Sequence, residues 1–402
     1  MAGLAYCNNK GEIFFDESYA AIVDGGVLRV PDPDELIRAP DGCVAMILPG
    51  RRALTTEGAF RSKYALAVIL PAGYTRLLVP AYIKEADAPA LPLFGYTAAS
   101  VVDDELYVAA TKTDESEHWH PRYFAEGELE ALLDRRCAWD PQNRVLAQVA
   151  RCSREYGCFT AQNVFIERGE AALPVSPKCN ARCVGCISQL EADSPLVSPQ
   201  ERIRFETDAA ELARIAIHHL ERDPDGIVSF GQGCEGEPLL RSFTIASAIE
   251  RIRAARGNGT INLNTNGSMP EALARCIDAG LQAVRISLNS FRSCVYAAYY
   301  RPLGYTLDDV LSSIRLAAGR GLRVSLNLLT HPGVTDDEEE VSAMSDFLRN
   351  VPVSMVQTRT LNIDPEIYFS AVGRPSNPLG MRHALEAIRA CRIGVGNFTH
   401  TH

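Results

Sequence analysis

From about Ile13 to Ala110 the apolar positions come in short runs, such as Cys43 to Leu48, Ala65 to Leu70, Tyr74 to Val79 and Leu106 to Ala109, separated by Pro, Gly and Asp. Short runs bounded by turn-forming residues predict strands. From Glu128 to Tyr156 the spacing becomes helical, interrupted near Pro141, with Leu129, Leu132, Leu133, Leu146, Val149 and Ala150 as candidate core positions. Residues 1–169 are therefore expected to form a β-rich α+β accessory domain that ends in a helical segment.

Beyond Gly169 the pattern alternates. Ala171 to Val175, Gly226 to Phe230, Thr260 to Asn264, Ala283 to Asn289, Leu322 to Leu328 and Met355 to Leu361 each read as a strand. Longer amphipathic stretches lie between them, among them Leu239 to Ala255, Met269 to Ala279, Leu307 to Arg320 and Asp337 to Leu348. Apolar strands followed by helices are the βα signature of a parallel sheet. Six such units predict an α/β fold, a partial (βα)6 TIM-like barrel over residues 170–402 that includes a C-terminal extension. In such folds the chemistry lies at the carboxyl ends of the strands, where loops vary without disturbing the core.

With 402 residues, 47% hydrophobic and 22% charged, the chain is long enough for two domains and apolar enough to bury a core. Its net charge of −10 offers no global positive field to gather polyanions, and no basic run points to nucleic acid as a partner. Met1 to Gly11 lacks the pattern of a secretory signal, and Tyr64 to Gly73, broken by Pro71, is too short to span a bilayer. A cytoplasmic location without membrane partners is the expectation. Twelve cysteines there read as thiols or metal ligands rather than as a disulfide framework.

Three of them, Cys179, Cys183 and Cys186, form a CxxxCxxC loop directly after the first barrel strand. Thiolates are soft donors suited to iron–sulfur centres or zinc. Such a loop supplies only three ligands to a 4Fe-4S cube and leaves one iron open for nitrogen or oxygen donors. A zinc site completed by His or a fourth Cys is the other reading.

The arrangement resembles the radical S-adenosylmethionine (radical SAM) superfamily, whose hallmark is CxxxCxxC after the first strand of a partial barrel. The resemblance covers about Ala171 to Leu361. It implies that Cys179, Cys183 and Cys186 ligate a 4Fe-4S cluster whose open iron chelates the amine and carboxylate of S-adenosylmethionine. Gly236-Glu237-Pro238 resembles the segment that receives the methionyl amino group, with Glu235 standing where that motif usually has a Gly. Ser287-Leu288-Asn289-Ser290 looks like the strand end that contacts the ribose or carboxylate, and Asn264-Thr265-Asn266-Gly267 ends the third strand similarly. The residue before the last cysteine is often aromatic in the family and contacts adenine, but here it is Gly185. The implied cofactor-binding set is thus Glu235, Gly236, Glu237, Asn264, Ser287 and Asn289, and Arg301, in the loop after the fourth strand, is a further candidate for the carboxylate of S-adenosylmethionine or substrate. The implied chemistry is reductive cleavage of S-adenosylmethionine by an electron from a partner such as flavodoxin or ferredoxin, followed by hydrogen abstraction from a substrate.

Other residues compete for attention. Asn327, Thr330, Gln357, Arg359 and Asn362 end the fifth and sixth strands and are candidates to select a polar substrate. Asp336 to Glu340 reads as a solvated helix N-terminus, where carboxylates oppose the dipole, rather than as a metal site. His118 and His120, with Cys137, Cys152 and Cys158, have only weak metal-site spacing, and Cys234 adjoins the amino-binding segment. The leading reading is a radical SAM enzyme acting on a small molecule. Peptide or RNA modification is the alternative within the family, and a non-catalytic iron–sulfur or zinc module is the alternative outside it.

Overall fold

A computed structural model describes residues 2–115, 126–255 and 257–398; His118 and His120 lie outside the described residues. Seven parallel strands run in sequence order: β1 (Glu170–Leu173), β2 (Ile227–Phe230), β3 (Thr260–Thr265), β4 (Ala283–Leu288), β5 (Arg323–Thr330), β6 (Met355–Thr360) and β7 (Gly394–Gly396). Helices separate successive strands, from Ala209–Arg222 after β1 to Met381–Ala390 before β7. The six predicted strand–helix units are present. The seventh strand, which pairs Gly394 with Met355 and Gly396 with Gln357, has no apolar run to announce it.

Alternation along these strands divides the sheet into two unlike faces. Ile261, Leu263, Val284, Ile286, Val324 and Leu326 are buried in one core with Ile249, Leu273 and Ile314 of the surrounding helices. The intervening positions, including Asn262, Asn264, Arg285, Ser287 and Asn327, carry polar groups to the concave face. With β1 and β7 unpaired with each other, the parallel sheet is a partial barrel.

The preceding region is a nine-stranded antiparallel sheet built around the hairpin of Val44–Thr55 and Gly58–Ile69, with a small three-stranded sheet beside it. The predicted run from Tyr74 to Val79 divides into Tyr74–Arg76 and Val79–Pro80, which pair with different strands. Three helices follow, Glu126–Trp139, Arg144–Tyr156 and Phe159–Ile166. The break near Pro141 appears as predicted. Asn143 caps the second helix, accepting from the Leu146 N–H at 3.0 Å, and Gly157 ends it at φ 56°, a conformation a side chain disfavours. Val145, Leu146, Val149, Val164 and Phe165 join the same core as β1, so these helices cover the first edge of the barrel.

The antiparallel sheet meets the other edge. Met381 and Leu385 enter its core beside Leu77, Leu78 and Ala109. Thr75 and Thr358 hydroxyls lie 2.6 Å apart, and the Gly73 N–H donates to Asn397 at 3.1 Å. At the centre of this contact Arg51 is fully buried and donates to the Asp364 carboxylate at 2.8 Å, and the same oxygen accepts from the Leu91 N–H at 2.8 Å. Arg51 further donates to the Pro49 and Pro89 carbonyls, while the other Asp364 oxygen caps helix Pro365–Val372.

A buried pair of this kind contributes little net stability yet is costly to break, because the remaining charge has no water to replace its partner. Asp364→Ala is therefore expected to lower unfolding free energy by about 3–5 kcal/mol in chemical denaturation. Arg51→Met/Asp364→Leu is expected to recover part of that loss. A single-variant loss below about 1 kcal/mol would place this contact among weak surface pairs.

Candidate active site

The cysteine loop has almost no secondary structure of its own, so its shape comes from the strand ends around it. The Gly236 N–H donates to the Ser176 carbonyl at 2.7 Å and the Glu237 N–H to the Lys178 carbonyl at 2.9 Å, joining the loops after β1 and β2. A Cβ on Gly236 would stand 2.0 Å from the Lys178 carbonyl oxygen, so only glycine permits this approach. On the opposite side the Arg182 and Val184 N–H groups donate to the Tyr300 and Tyr299 carbonyls at 3.0 and 2.9 Å. The loop after β3 completes the frame through Asn180, which accepts from Asn266 at 2.9 Å and donates to Ser268 at 2.9 Å.

This frame brings Cys179, Cys183 and Cys186 together at the carboxyl end of the barrel. All three are partly accessible. Burial pushes the Cys179 thiol up to about 11, with the nearby Glu237 carboxylate adding to the shift and Arg202 opposing it. The Cys183 thiol is raised further, first by burial and then by Cys186 and Cys179. Cys186 Sγ accepts from the Gln189 N–H at 3.4 Å and lies 3.6 Å from the Arg202 guanidinium.

Among the described residues no group of three or more His, Cys, Asp or Glu side chains is closed into a ready-made ion site. The donor set nevertheless fits an iron–sulfur centre. Three soft sulfur donors share one half-open loop, and their mutual proximity disfavours three thiolates until a cationic core arrives.

The two acidic residues after β2 have separate tasks. Glu235 turns back beneath the cysteine loop and accepts from the Val175, Ser176 and Gln232 N–H groups at 2.8, 2.7 and 2.7 Å. Its carboxyl is pushed up to about 8 by burial, against those three donors. Glu237 accepts from the Leu239 and Asn266 N–H groups and the Thr265 hydroxyl, which ties the second strand end to the third. Burial pushes it up to about 7.

Asn264 and Ser287 stand on the concave face. Asn264 donates to the Gly231 carbonyl at 2.9 Å, and Ser287 accepts from Asn327 at 3.1 Å. Asn289 is deeper, fully buried, donating to the Tyr368 hydroxyl at 3.0 Å while its own Oδ1 has no hydrogen-bond partner. Arg301 is not drawn into the concave face: it ends helix Ser293–Tyr300 at φ 46° and lies 3.6 Å from Glu191, about half exposed. Gly185 has a physical reason. A Cβ there would meet the Tyr299 hydroxyl at 3.2 Å and Ile363 at 3.4 Å, so Tyr299 occupies the space beside the last cysteine.

Several groups deeper in the barrel, toward the amino ends of the strands, escaped the sequence reading. Glu170 accepts from Ser229 at 2.6 Å and pairs with Arg285 at 2.7 Å, and Asn262 donates to both Ser229 and Asn264 at 3.0 Å. Their signal was the polar–apolar alternation inside strands that a filled barrel would make apolar throughout. The acidic run does begin a helix, Glu338–Asn350, as predicted, but Asp336, Asp337 and Glu340 are buried rather than solvated. Glu340 accepts from the Phe291 N–H at 2.7 Å, and Asp337 pairs with Arg292 at 2.8 Å. Those carboxylates serve the loop after β4. Cys152 and Cys234 touch each other in the core away from the loop, the contact holding the Cys152 thiol down and the Cys234 thiol up.

Comparison with known proteins agrees with this geometry. Residues 173–344 match the Radical SAM superfamily. Among curated proteins the chain is similar to GTP 3',8-cyclase of Staphylococcus carnosus, 24% identical over 52% of this chain and 59% of that protein. It is similar also to GTP 3',8-cyclase of Rhodobacter capsulatus, 28% identical over 43% of this chain and 47% of that one. The chain thus spans about half the length of the curated relatives it matches. Among solved structures it resembles a radical SAM methyltransferase from Sphaerobacter thermophilus at TM-score 0.40 and 16% identity, covering 56% of this chain and 64% of that one. Streptococcus suis SuiB bound to precursor peptide SuiA matches at TM-score 0.39 and 14% identity, over 62% and 53% of the two chains. The segment that carries the thiol loop and most of the open parallel barrel, residues 173–344, is thus the part of the chain that matches the Radical SAM superfamily.

Proposed function

We propose that the protein is a radical SAM enzyme that binds a 4Fe-4S cluster through Cys179, Cys183 and Cys186 and acts on a small polar molecule in the concave face of the barrel. The observation that supports this reading is the framed loop, which carries three partly accessible, electrostatically coupled thiols beside the polar strand ends of the barrel. When bound, the cluster supplies an electron to the sulfonium of S-adenosylmethionine, and breaking its 5′ carbon–sulfur bond yields the species that abstracts hydrogen.

The chain's own residues bind, orient and shield. Gly236 brings the segment Glu235–Glu237 against the cysteine loop, and Glu237 fixes that segment to the third strand end. Asn264 and Ser287 present polar groups in front of it for the methionyl and ribose ends of the nucleoside. Tyr299 and Tyr300, buried behind the loop, exclude water from that side. The antiparallel sheet closes the flank beside β6, leaving the mouth of the hollow for the substrate. A flavodoxin- or ferredoxin-like donor and a cytoplasmic setting suit an oxygen-sensitive centre served by an external electron.

The test is anaerobic reconstitution with iron and sulfide, then addition of dithionite and S-adenosylmethionine and measurement of 5′-deoxyadenosine. Product is expected from the native protein and its loss, together with the cluster's visible absorption, from the Cys179→Ala/Cys183→Ala/Cys186→Ala variant. A protein that loads iron, binds S-adenosylmethionine and yields no product with strong reductant and candidate substrates would reject catalysis.

Gly236→Ala should separate framing from ligation, since it leaves every thiol in place. The 2.0 Å clash must push the two loops apart, so binding of S-adenosylmethionine is expected to weaken about tenfold or more, as read by equilibrium dialysis, with far-ultraviolet circular dichroism unchanged. Native affinity in that variant would show that the loop approach has no part in binding.

A further inference from the structure

The concave face is polar from its floor to its rim, and its charges are unevenly matched. At the floor Arg285 is nearly buried and balanced by Glu170, 2.7 Å away. One rung above Gln357 on the same face of β6 stands Arg359, opposite Leu329 of β5. Its side chain is exposed to the hollow, and its Nη1 donates to the Asn397 carbonyl at 2.8 Å. Among the described residues no carboxylate comes within ion-pair distance of it. The acids that favour its charge act without an ion pair: Glu170, already engaged by Arg285, and then Asp114, which accepts from the Asn397 N–H at 2.7 Å. Arg285 is close enough to repel Arg359, and this repulsion adds to the desolvation that already disfavours its charge.

Such a placement is costly without a ligand. A guanidinium anchored on one nitrogen by a carbonyl has further N–H groups to offer, in the fork geometry that suits carboxylate or phosphate oxygens. Neighbouring groups on this face, Ser325 and Asn327, are neutral and small, leaving room for an anion without competing for it. From these contacts we infer that Arg359 anchors an anionic group, phosphate or carboxylate, of the small molecule that enters the barrel. The inference rests on the proposed reading only in calling that molecule the substrate.

Equilibrium dialysis of the reconstituted protein at low ionic strength tests it, with radiolabelled pyrophosphate for the phosphate arm and succinate for the carboxylate arm. The native protein is expected to retain at least one of them, and the arm that binds identifies the group. Arg359→Gln should weaken that binding about tenfold or more, and Arg359→Lys, which keeps charge but not the fork, should lie between. Asn327→Asp, which adds a like charge to the same face without touching Arg359, should weaken it similarly and covers the case of an unfolded Arg359 variant. Binding of labelled S-adenosylmethionine should be unchanged in the two Arg359 variants. Absence of both anions from the native protein, or equal retention by Arg359→Gln, overturns the inference and leaves cofactor binding to be judged by its own arm. Loss of S-adenosylmethionine binding in the native protein with anion retention intact would instead strike the functional reading alone.

Discussion

An open parallel sheet is the constraint from which the other features follow. A closed barrel of eight strands fills its interior with branched apolar side chains, and its strands are apolar on both faces. Seven strands in an open arc leave the concave face without an opposing wall, so polar residues can occupy it where water or one another satisfies them. The sheet responds on both counts: Ile261, Leu263, Val284 and Ile286 pack outward against helices, while Asn262, Asn264, Arg285 and Ser287 line the hollow. An open arc also exposes two edges. Helix Phe159–Ile166 lies against the first, and the antiparallel sheet covers the last through Thr75, Asn397 and the buried Arg51–Asp364 pair. The N-terminal region is thus part of the barrel's closure as well as a sheet in its own right.

The thiol loop shows how a segment without a hydrogen-bond ladder acquires a fixed shape. Its backbone groups are satisfied by the loop after β2 and by the helix after β4, and its Asn180 side chain bonds the loop after β3, so each neighbour fixes a different part of it. Close approach demands the absence of side chains at two places in particular. Gly236 meets the Lys178 carbonyl, and Gly231, at φ 83°, would place a Cβ 1.8 Å from the Asn264 carbonyl oxygen. Where the family often has an aromatic residue, Gly185 leaves the space to Tyr299, which arrives from helix Ser293–Tyr300.

Much of this was legible in the sequence because it depends on local periodicity. Strand and helix alternation after Gly169, the break at Pro141 and the spacing of the three cysteines are all properties of a few adjacent residues. What a segment packs against is not. The helical pattern of Leu146 and Val149 gives no sign that its partner is β1 rather than the preceding strands. Gly394–Gly396 has no side chains large enough to mark it as a strand and is one only because β6 offers it hydrogen bonds. The acidic run at Asp336 looked solvated because acid-rich helix starts usually are. Buried Glu340 reaches the backbone after β4, a contact across 49 residues that no local pattern encodes.

Electrostatics binds these observations together. Around the thiol loop the fold buries more acidic protons than it has local cations to replace: Glu235 is held up at about 8, Glu237 at about 7 and Cys179 at about 11, each chiefly by burial. Hydrogen-bond donors to both carboxylates oppose the shift without cancelling it. A site in this condition favours any cationic centre that offers the thiols a partner, since binding removes both the desolvation cost of thiolates and their mutual repulsion. That preference is created locally, by the clustered thiols and the buried carboxyls beside them, with Arg202 and the backbone donors opposing it in part. On the proposed reading the two ends of the hollow are complementary: acidic groups and thiols at the loop await a cation, and Arg359 across the barrel awaits an anion.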